Sequence, residues 1–260
     1  RSDLTLMISD FEISLLKECF NVPDMLLCHI PFMLETASPV QDIPSFSQRQ
    51  QFVTIGNFRH PPNWDAVLQL KTEIWPHIRK KLPKAELHIY GAYPPPKATA
   101  LNNDKEGFMV KGWADSAIDV VKRARVCLAP LRFGAGLKGK LTEAMQCGTP
   151  SITTNIGAEG MATGLSWPGV VAKTNKEFVD AACSLYQNEK LWLNKQEQGY
   201  LVLKEKYDAT KLITHLKNSI EFKLTNLEEQ RKLNFIGSML QHHLHRSTTF
   251  MAQWIAAKNQ

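Results

Sequence analysis

From residue 51 onward, short apolar runs alternate with stretches whose apolar positions recur at helical spacing, a pattern that predicts βαβ units around a parallel sheet. The runs at 52–56, 86–90, 108–110, 126–129, 151–154 and 170–172 read as strands. Between them, Asn63 is the expected N-cap of a long helix over 63–81, and Asp115 opens a short one over 115–123. The repeated unit predicts an α/β fold, a doubly wound, Rossmann-like parallel sheet over 51–207. Upstream, 4–8 reads as a strand, 11–19 as a helix and 25–30 as another strand, while 34–50, with Pro39, Pro44 and several Ser and Gln, reads as a linker. One αβ fragment of that size cannot cover its own strand faces, so residues 1–33 are expected to be the tail of a further domain. Downstream, helices are expected at 176–187, 189–206, 209–222 and 226–258, which makes 208–260 a helical C-terminal extension. Leu227, Leu233, Ile236, Leu240 and Leu244 recur there at roughly helical spacing and predict a face packed on a partner surface.

Composition narrows the setting. The chain has 260 residues and a net charge of +6. It contains no apolar run of membrane-spanning length, and its opening RSDLTLMISD lacks the apolar core and cleavage site of a secretory signal. The expected location is cytoplasmic; for the segment from 226 onward, packing on a further domain is preferred, with a peripheral contact at the inner face of a membrane as the alternative. Cys19, Cys28, Cys127, Cys147 and Cys183 are odd in number and form no C-x-x-C pair, so buried free thiols are expected rather than disulfides or zinc. The positive balance suits an acidic ligand such as a nucleoside diphosphate, an anionic membrane surface or nucleic acid, and by itself does not choose among them. No nucleic-acid partner is expected. His242, His243, His245 and Arg246 read as a solvated basic face rather than a metal site.

The segment from Gly134 to Pro150, GAGLKGKLTEAMQCGTP, carries the chemistry. Glycines without Cβ atoms let backbone N–H groups approach a phosphate, and a helix start adds its dipole to the attraction. Read from the residues alone, Gly134, Gly136 and Gly139 spell G-x-G-x-x-G, with Glu159 placed as a dinucleotide fold would place its ribose acid. Against this, Pro130, Leu131, Arg132 and Phe133 separate the glycines from their strand, the fourth of the domain. A second reading puts Lys138, Lys140 and Glu143 at the open end of the strands, where lysines meet a diphosphate and a carboxylate accepts ribose hydroxyls. A third is an ordinary surface ion pair between Lys140 and Glu143.

The stretch APLRFGAGLKGKLTEAMQCGTPSITTNIGAEGM, from Ala129 to Met161, closely resembles the donor-binding motif of group 1 glycosyltransferases, the retaining family 4 with the GT-B fold. FVTIGNFRHPPNWDAV from Phe52 to Val67 is similar to that domain's first strand, loop and helix, VKGWADSAIDVVKRARVCLAP from Val110 to Pro130 also agrees with the family, and ISDFE at Ile8 to Glu12 is similar to the end of the acceptor domain. The resemblance implies one half of a GT-B fold, with the N-terminal acceptor-binding domain missing. It further implies that Glu143, matching the second glutamate of an E-x7-E motif, holds the nucleotide ribose. The first glutamate falls at Ala135, so Gly134, Ala135, Gly136 and Leu137 would meet the sugar and phosphates through backbone N–H groups. Lys140 matches the lysine of a G-x-G-x-x-x-K variant and would neutralise the diphosphate, with Lys138 beside it. The family places an Arg and a Lys just after the first strand. Arg59 is displaced by two positions from that arginine, and the lysine is missing. Arg59 is therefore a candidate set against a solvent-facing loop arginine, and His60, followed by two prolines, reads as a positioned loop residue rather than a general base. Gly112 and Trp113 match the loop that receives the base, with a core tryptophan as the alternative for Trp113.

The expected activity is transfer from a UDP- or GDP-sugar to a glycan, lipid or other acceptor, with retention. No cofactor and no metal is expected, since no D-x-D pair is present. Two alternatives stay open: a non-catalytic nucleotide-sugar-binding or docking module, motivated by Ala135 and Arg59, and a nicotinamide-dependent oxidoreductase.

Overall fold

Parallel strands that are covered on both faces need continuous apolar runs, and the runs of this chain are used in that way. The computed structural model describes residues 2–35 and 40–258, apart from the side chains of 241–247. The chain divides into two compact units, Pro31–Ala209 on one hand and Arg1–Ile30 with Thr210–Gln260 on the other. In the latter, β1 (Thr5–Met7), α1 (Asp10–Phe20) and β2 (Leu27–His29) form a small parallel βαβ unit. Ser9 caps α1 by accepting from the Glu12 N–H.

Six strands build the larger unit: β3 (Gln51–Ile55), β4 (Leu87–Tyr90), β5 (Phe108–Gly112), β6 (Ala124–Ala129), β7 (Ser151–Thr153) and β8 (Gly169–Val171). All pairings are parallel, in the order β5-β4-β3-β6-β7-β8. This is the doubly wound arrangement, with its direction of winding reversed between β3 and β6. The helices are α2 (Pro61–Gln69), α3 (Trp75–Lys81), α4 (Pro96–Thr99), α5 (Ala117–Arg123), α6 (Gly139–Gln146), α7 (Asn155–Ala158), α8 (Asn175–Gln187) and α9 (Glu189–Lys206). Alternate residues of a strand face opposite layers. Phe52 accordingly joins Leu70, Trp75 and Phe178 in one core, while its neighbour Val53 joins Val121, Ala144 and Cys147 in another.

Local chemistry corrects several sequence expectations. The long helix begins two residues early, with His60 at the N-cap and Pro61 and Pro62 in its first turn, where missing N–H groups cost nothing. Asn63 is therefore not the cap. The same helix widens into a π turn at Leu70–Ile74. Pro76 follows after Trp75; it cannot donate to the carbonyl one turn back and its ring crowds that carbonyl, which opens the turn. Ser116, not Asp115, caps α5, because its hydroxyl accepts from the Asp119 N–H. Segment 34–50, expected as a linker, is taken into the larger unit: Leu34 bridges to Asp208, and Arg49 is fully buried.

In the other unit, α10 (Ala209–Thr225), α11 (Leu227–Leu233) and α12 (Phe235–Lys258) follow. The expected 226–258 helix breaks at Asn234, which ends α11. These helices return to the βαβ unit: Ser219 Oγ lies 3.5 Å from Cys28 Sγ, and Arg231 holds Asp3 with two bonds of 2.9 and 2.8 Å. Leu233, Ile236 and Leu240 remain exposed. The side chains of Leu244, His242, His243, His245 and Arg246 lie outside the described residues. Among the described residues, no helix is long and apolar enough to cross a membrane, and Cys19, Cys28, Cys127, Cys147 and Cys183 are free thiols.

Candidate functional site

In an open parallel sheet the loops at the carboxyl ends of the strands splay apart where the winding reverses, leaving a crevice. Here a cleft of about 440 Å³ opens there. Its walls come from the loop after β3 (Gly56, Asn57, His60), the start of α2 (Pro62, Asn63), the loops after β4 and β5 (Gly91, Trp113), and the β6–α6 turn with the first turns of α6.

The crevice is narrow at its floor because two glycines let strand ends meet. A Cβ on Gly91 would lie 1.9 Å from the Gly56 carbonyl oxygen. Gly91→Ala is expected to destabilise the chain by about 2–3 kcal/mol in urea denaturation, since the obstacle is backbone and cannot swing away. The β6–α6 turn needs glycine for a different reason. Gly134 and Gly136 have φ of 134° and 67°, backbone conformations that side chains disfavour. The turn is braced from both sides: Arg132 forms a two-pronged pair with Asp65 of α2, and Lys138 Nζ donates to the Gly136 carbonyl at 2.6 Å. Lys138 is only 8% exposed and occupies the N-cap position of α6.

Helical spacing brings Lys140 and Glu143 to one face of α6, one turn apart, while Leu141, Ala144 and Met145 are buried behind them. The surface ion pair between Lys140 and Glu143, the third reading of the sequence, does not form. Lys140 Nζ instead donates to Asn63 Oδ1 at 2.6 Å. Burial pulls the Lys140 pKa down to about 8, against the opposing pull of Cys127 and Glu143. Burial likewise raises the Glu143 pKa, and Lys140 partly offsets this. Among the described residues no group donates a hydrogen bond to the Glu143 carboxylate. Beneath them Cys127 of β6 is a buried thiol pushed up to about 12.

The cleft therefore gathers Gly134, Ala135, Leu137, Lys138, Lys140, Glu143 and Trp113 from the residues singled out in the sequence. Trp113 is 67% exposed, which removes the core alternative, and its indole N–H donates to Asp115 Oδ1 at 3.2 Å. Gly112 ends β5 with φ of 73° and turns the chain toward Trp113. Arg59 is not among the lining residues; its guanidinium stacks on Tyr93, 3.8 Å from the ring centre. Glu159 follows α7, and the glycines open α6 rather than the first helix of the sheet, an arrangement unlike a dinucleotide fingerprint. Asn63 and Gly91 are the site residues that sequence reasoning missed. A proline pair followed by asparagine after the first strand was the available signal for Asn63. Chemically, the desolvated Lys140 ammonium, with Lys138 buried beside it, glycine-turn amides and an unpaired carboxylate suit a ligand with anionic and hydroxylated parts.

Comparisons with known proteins point the same way. The model of the family described as glycosyl transferases group 1 matches residues 49–188. No curated protein sequence matches the chain. Among solved structures, a mutant form of S. aureus TarM in complex with fondaparinux, alpha-GlcNAc-glycerol and UDP is similar with a TM-score of 0.67 at 15% identity, covering 84% of this chain and 43% of its own. The pneumococcal O-GlcNAc transferase GtfA, in complex with UDP and GlcNAc, gives 0.63 at 16% identity, covering 85% and 45%. Anabaena HepE, in complex with UDP and glucose, gives 0.64 at 8% identity, covering 85% and 63%. The chain thus spans less than two thirds of the length of each of these proteins.

Proposed function

Because this chain belongs to the group 1 glycosyl transferases, we propose that its cleft is the donor site for a nucleotide-diphosphate sugar, a UDP- or GDP-sugar. In this reading Glu143 accepts hydrogen bonds from the ribose hydroxyls, Lys140 and the β6–α6 amides hold the diphosphate, and Trp113 flanks the base. The observation that carries it is the pair formed by an unpaired Glu143 carboxylate and a desolvated Lys140 ammonium on one wall of the switch-point crevice. The family's lysine after the first strand is absent, yet the Lys140 ammonium reaches Asn63 at the start of the first helix, so α6 supplies a cation to that loop. Similar structures with UDP bound make UDP the first ligand to try.

Transfer breaks the bond between the sugar's anomeric carbon and the diphosphate oxygen. Negative charge builds on the diphosphate as the sugar becomes oxocarbenium-like, and fixed amides and an ammonium aimed there lower the barrier. Retention of configuration, metal independence and membership of retaining family 4 belong to this proposal. So does the need for an N-terminal acceptor-binding domain, which makes little or no turnover the expectation for this chain alone. Residues 1–33 are read as the tail of that domain, and 208–260 as helices that return to it, a peripheral contact with the inner face of a membrane being the alternative for the segment from 226.

Calorimetry with UDP, GDP and their sugars tests the donor site. The wild type is expected to bind one series, and Glu143→Ala to weaken it about 30-fold or more, the loss expected for charge-assisted hydrogen bonds. No binding by the wild type, or no loss in the variant, would sink the reading. A second reading, a nucleotide-sugar-binding module without catalysis, draws on Ala135 in place of the first motif glutamate and on Arg59 turned to Tyr93. Product analysis with the full-length protein separates the two, since a retained-anomer product excludes the module.

A further inference from the structure

Asn63 holds a position that no helix cap requires. It sits in the first turn of α2, after the cap His60, and its side chain bridges two loops. Its Nδ2 donates to the Asn57 carbonyl at 3.0 Å, and its Oδ1 accepts from Lys140 Nζ at 2.6 Å. The amide has only one orientation that serves both neighbours: an ammonium has donors alone and a carbonyl accepts alone. The amide head also fills the space that a side chain at position 56 would take, since a Cβ on Gly56 would lie 2.6 Å from Asn63 Cγ. Gly56 and Asn57 thus fix the amide, and the amide fixes the end of a flexible four-carbon chain.

Resting on the donor-site reading of the cleft, we propose that Asn63 is a positioning residue that aims the Lys140 ammonium into the crevice without itself adding a negative charge that would compete with the diphosphate. Neutrality is what separates this partner from the commoner one. A carboxylate at position 63 would pair with the ammonium and would have to be displaced, or repelled, by an incoming dianion. A carbonyl oxygen orients the donor and leaves the positive charge in place. The buried surroundings make that difference larger than it would be in water. The titratable groups acting on Lys140 are Cys127 from β6 and Glu143 from its own helix, with His60 and Lys138 on the cleft wall. None of them lies in hydrogen-bonding contact with the ammonium, so Asn63 is its sole partner among the described residues.

Two variants move Lys140 in opposite directions. Asn63→Asp is expected to raise the titration midpoint of its ammonium, because a carboxylate favours the charged form. Asn63→Ala is expected to lower it, because an acceptor for the charged form is lost. Nuclear magnetic resonance of the lysine ε-carbons in the full chain reads both, with the Lys140 signal assigned by its absence in Lys140→Arg. UDP affinity should fall about tenfold or more in Asn63→Asp, while affinity for uridine, which has no phosphate, stays within about twofold. A disturbed fold would shift both midpoints alike and weaken both ligands. Midpoints that move together or not at all overturn the proposal, as does UDP binding that Asn63→Asp leaves intact. A wild type that binds neither UDP nor GDP while the midpoints still diverge overturns the donor-site reading, and the diphosphate role with it.

Discussion

Lys140→Met in the full-length protein is expected to lower transfer by about 10²–10³-fold, the cost of removing one preorganised donor from a developing oxyanion. The same variant is expected to make the ligand-free fold more stable at pH 7. Burial holds the Lys140 pKa at about 8, below its ordinary value of 10.5. Between those two values the unfolded chain keeps a proton that the folded chain has released. Stability contributed by this group therefore rises with pH across that window, and below about 8 the folded state carries the full cost of a desolvated charge. Methionine has a similar reach and no charge, so it removes the cost along with the function. Thermal unfolding at pH 7 and pH 9 checks the sign: the gain of Lys140→Met over wild type should shrink at the higher pH. Diphosphate affinity of the wild type should run the other way, flat below about pH 8 and falling above it as the ammonium is lost. An activity loss accompanied by a fall in ligand-free stability would mark Lys140 as a structural residue instead.

The route from sequence to this site was legible where spacing alone decides geometry. Lys140 and Glu143 stand one helical turn apart, with Leu141, Ala144 and Met145 filling the opposite face, so any helix there delivers both to one side. The six strands were legible because a strand covered on both faces has no place for polar alternation. What stayed hidden depends on residues distant in the chain. The Asn63 to Lys140 bond spans 77 positions and exists only because β3 and β6 are neighbours. From the sequence, an asparagine before a helical pattern reads as a cap, yet the two prolines ahead of it had already taken the first turn. Trp113 was ambiguous for the same reason: a tryptophan suits a core or an open cleft, and the positive φ of Gly112 sends it to the cleft.

The same limit hid Arg49, whose replacement is expected to have the largest effect on stability. It lies in the stretch expected as a linker, yet it is fully buried. Its guanidinium donates to the carbonyls of Pro44 at 2.9 Å, Ala124 at 3.2 Å and Cys147 at 3.0 Å, and to the Thr149 hydroxyl at 2.7 Å. It also lies over the Trp192 ring, 4.8 Å from its centre. Burial draws its pKa down to about 10, with Tyr200 and Cys147 pulling the other way. Cys147 follows the last turn of α6, so the cation sits where helix carbonyls lack partners and where the dipole favours positive charge. Arg49 thus ties the far end of the helix that carries Lys140 and Glu143 to the start of β6. Arg49→Ala should cost about 3–5 kcal/mol, because it leaves buried carbonyls unpaired and opens a cavity. Arg49→Lys should recover only part of this, since an ammonium cannot present the guanidinium fork to separate acceptors. Urea denaturation measures both, with an unchanged slope expected. A loss below about 1 kcal/mol in Arg49→Ala would show that the carbonyls find water and that the clamp is dispensable.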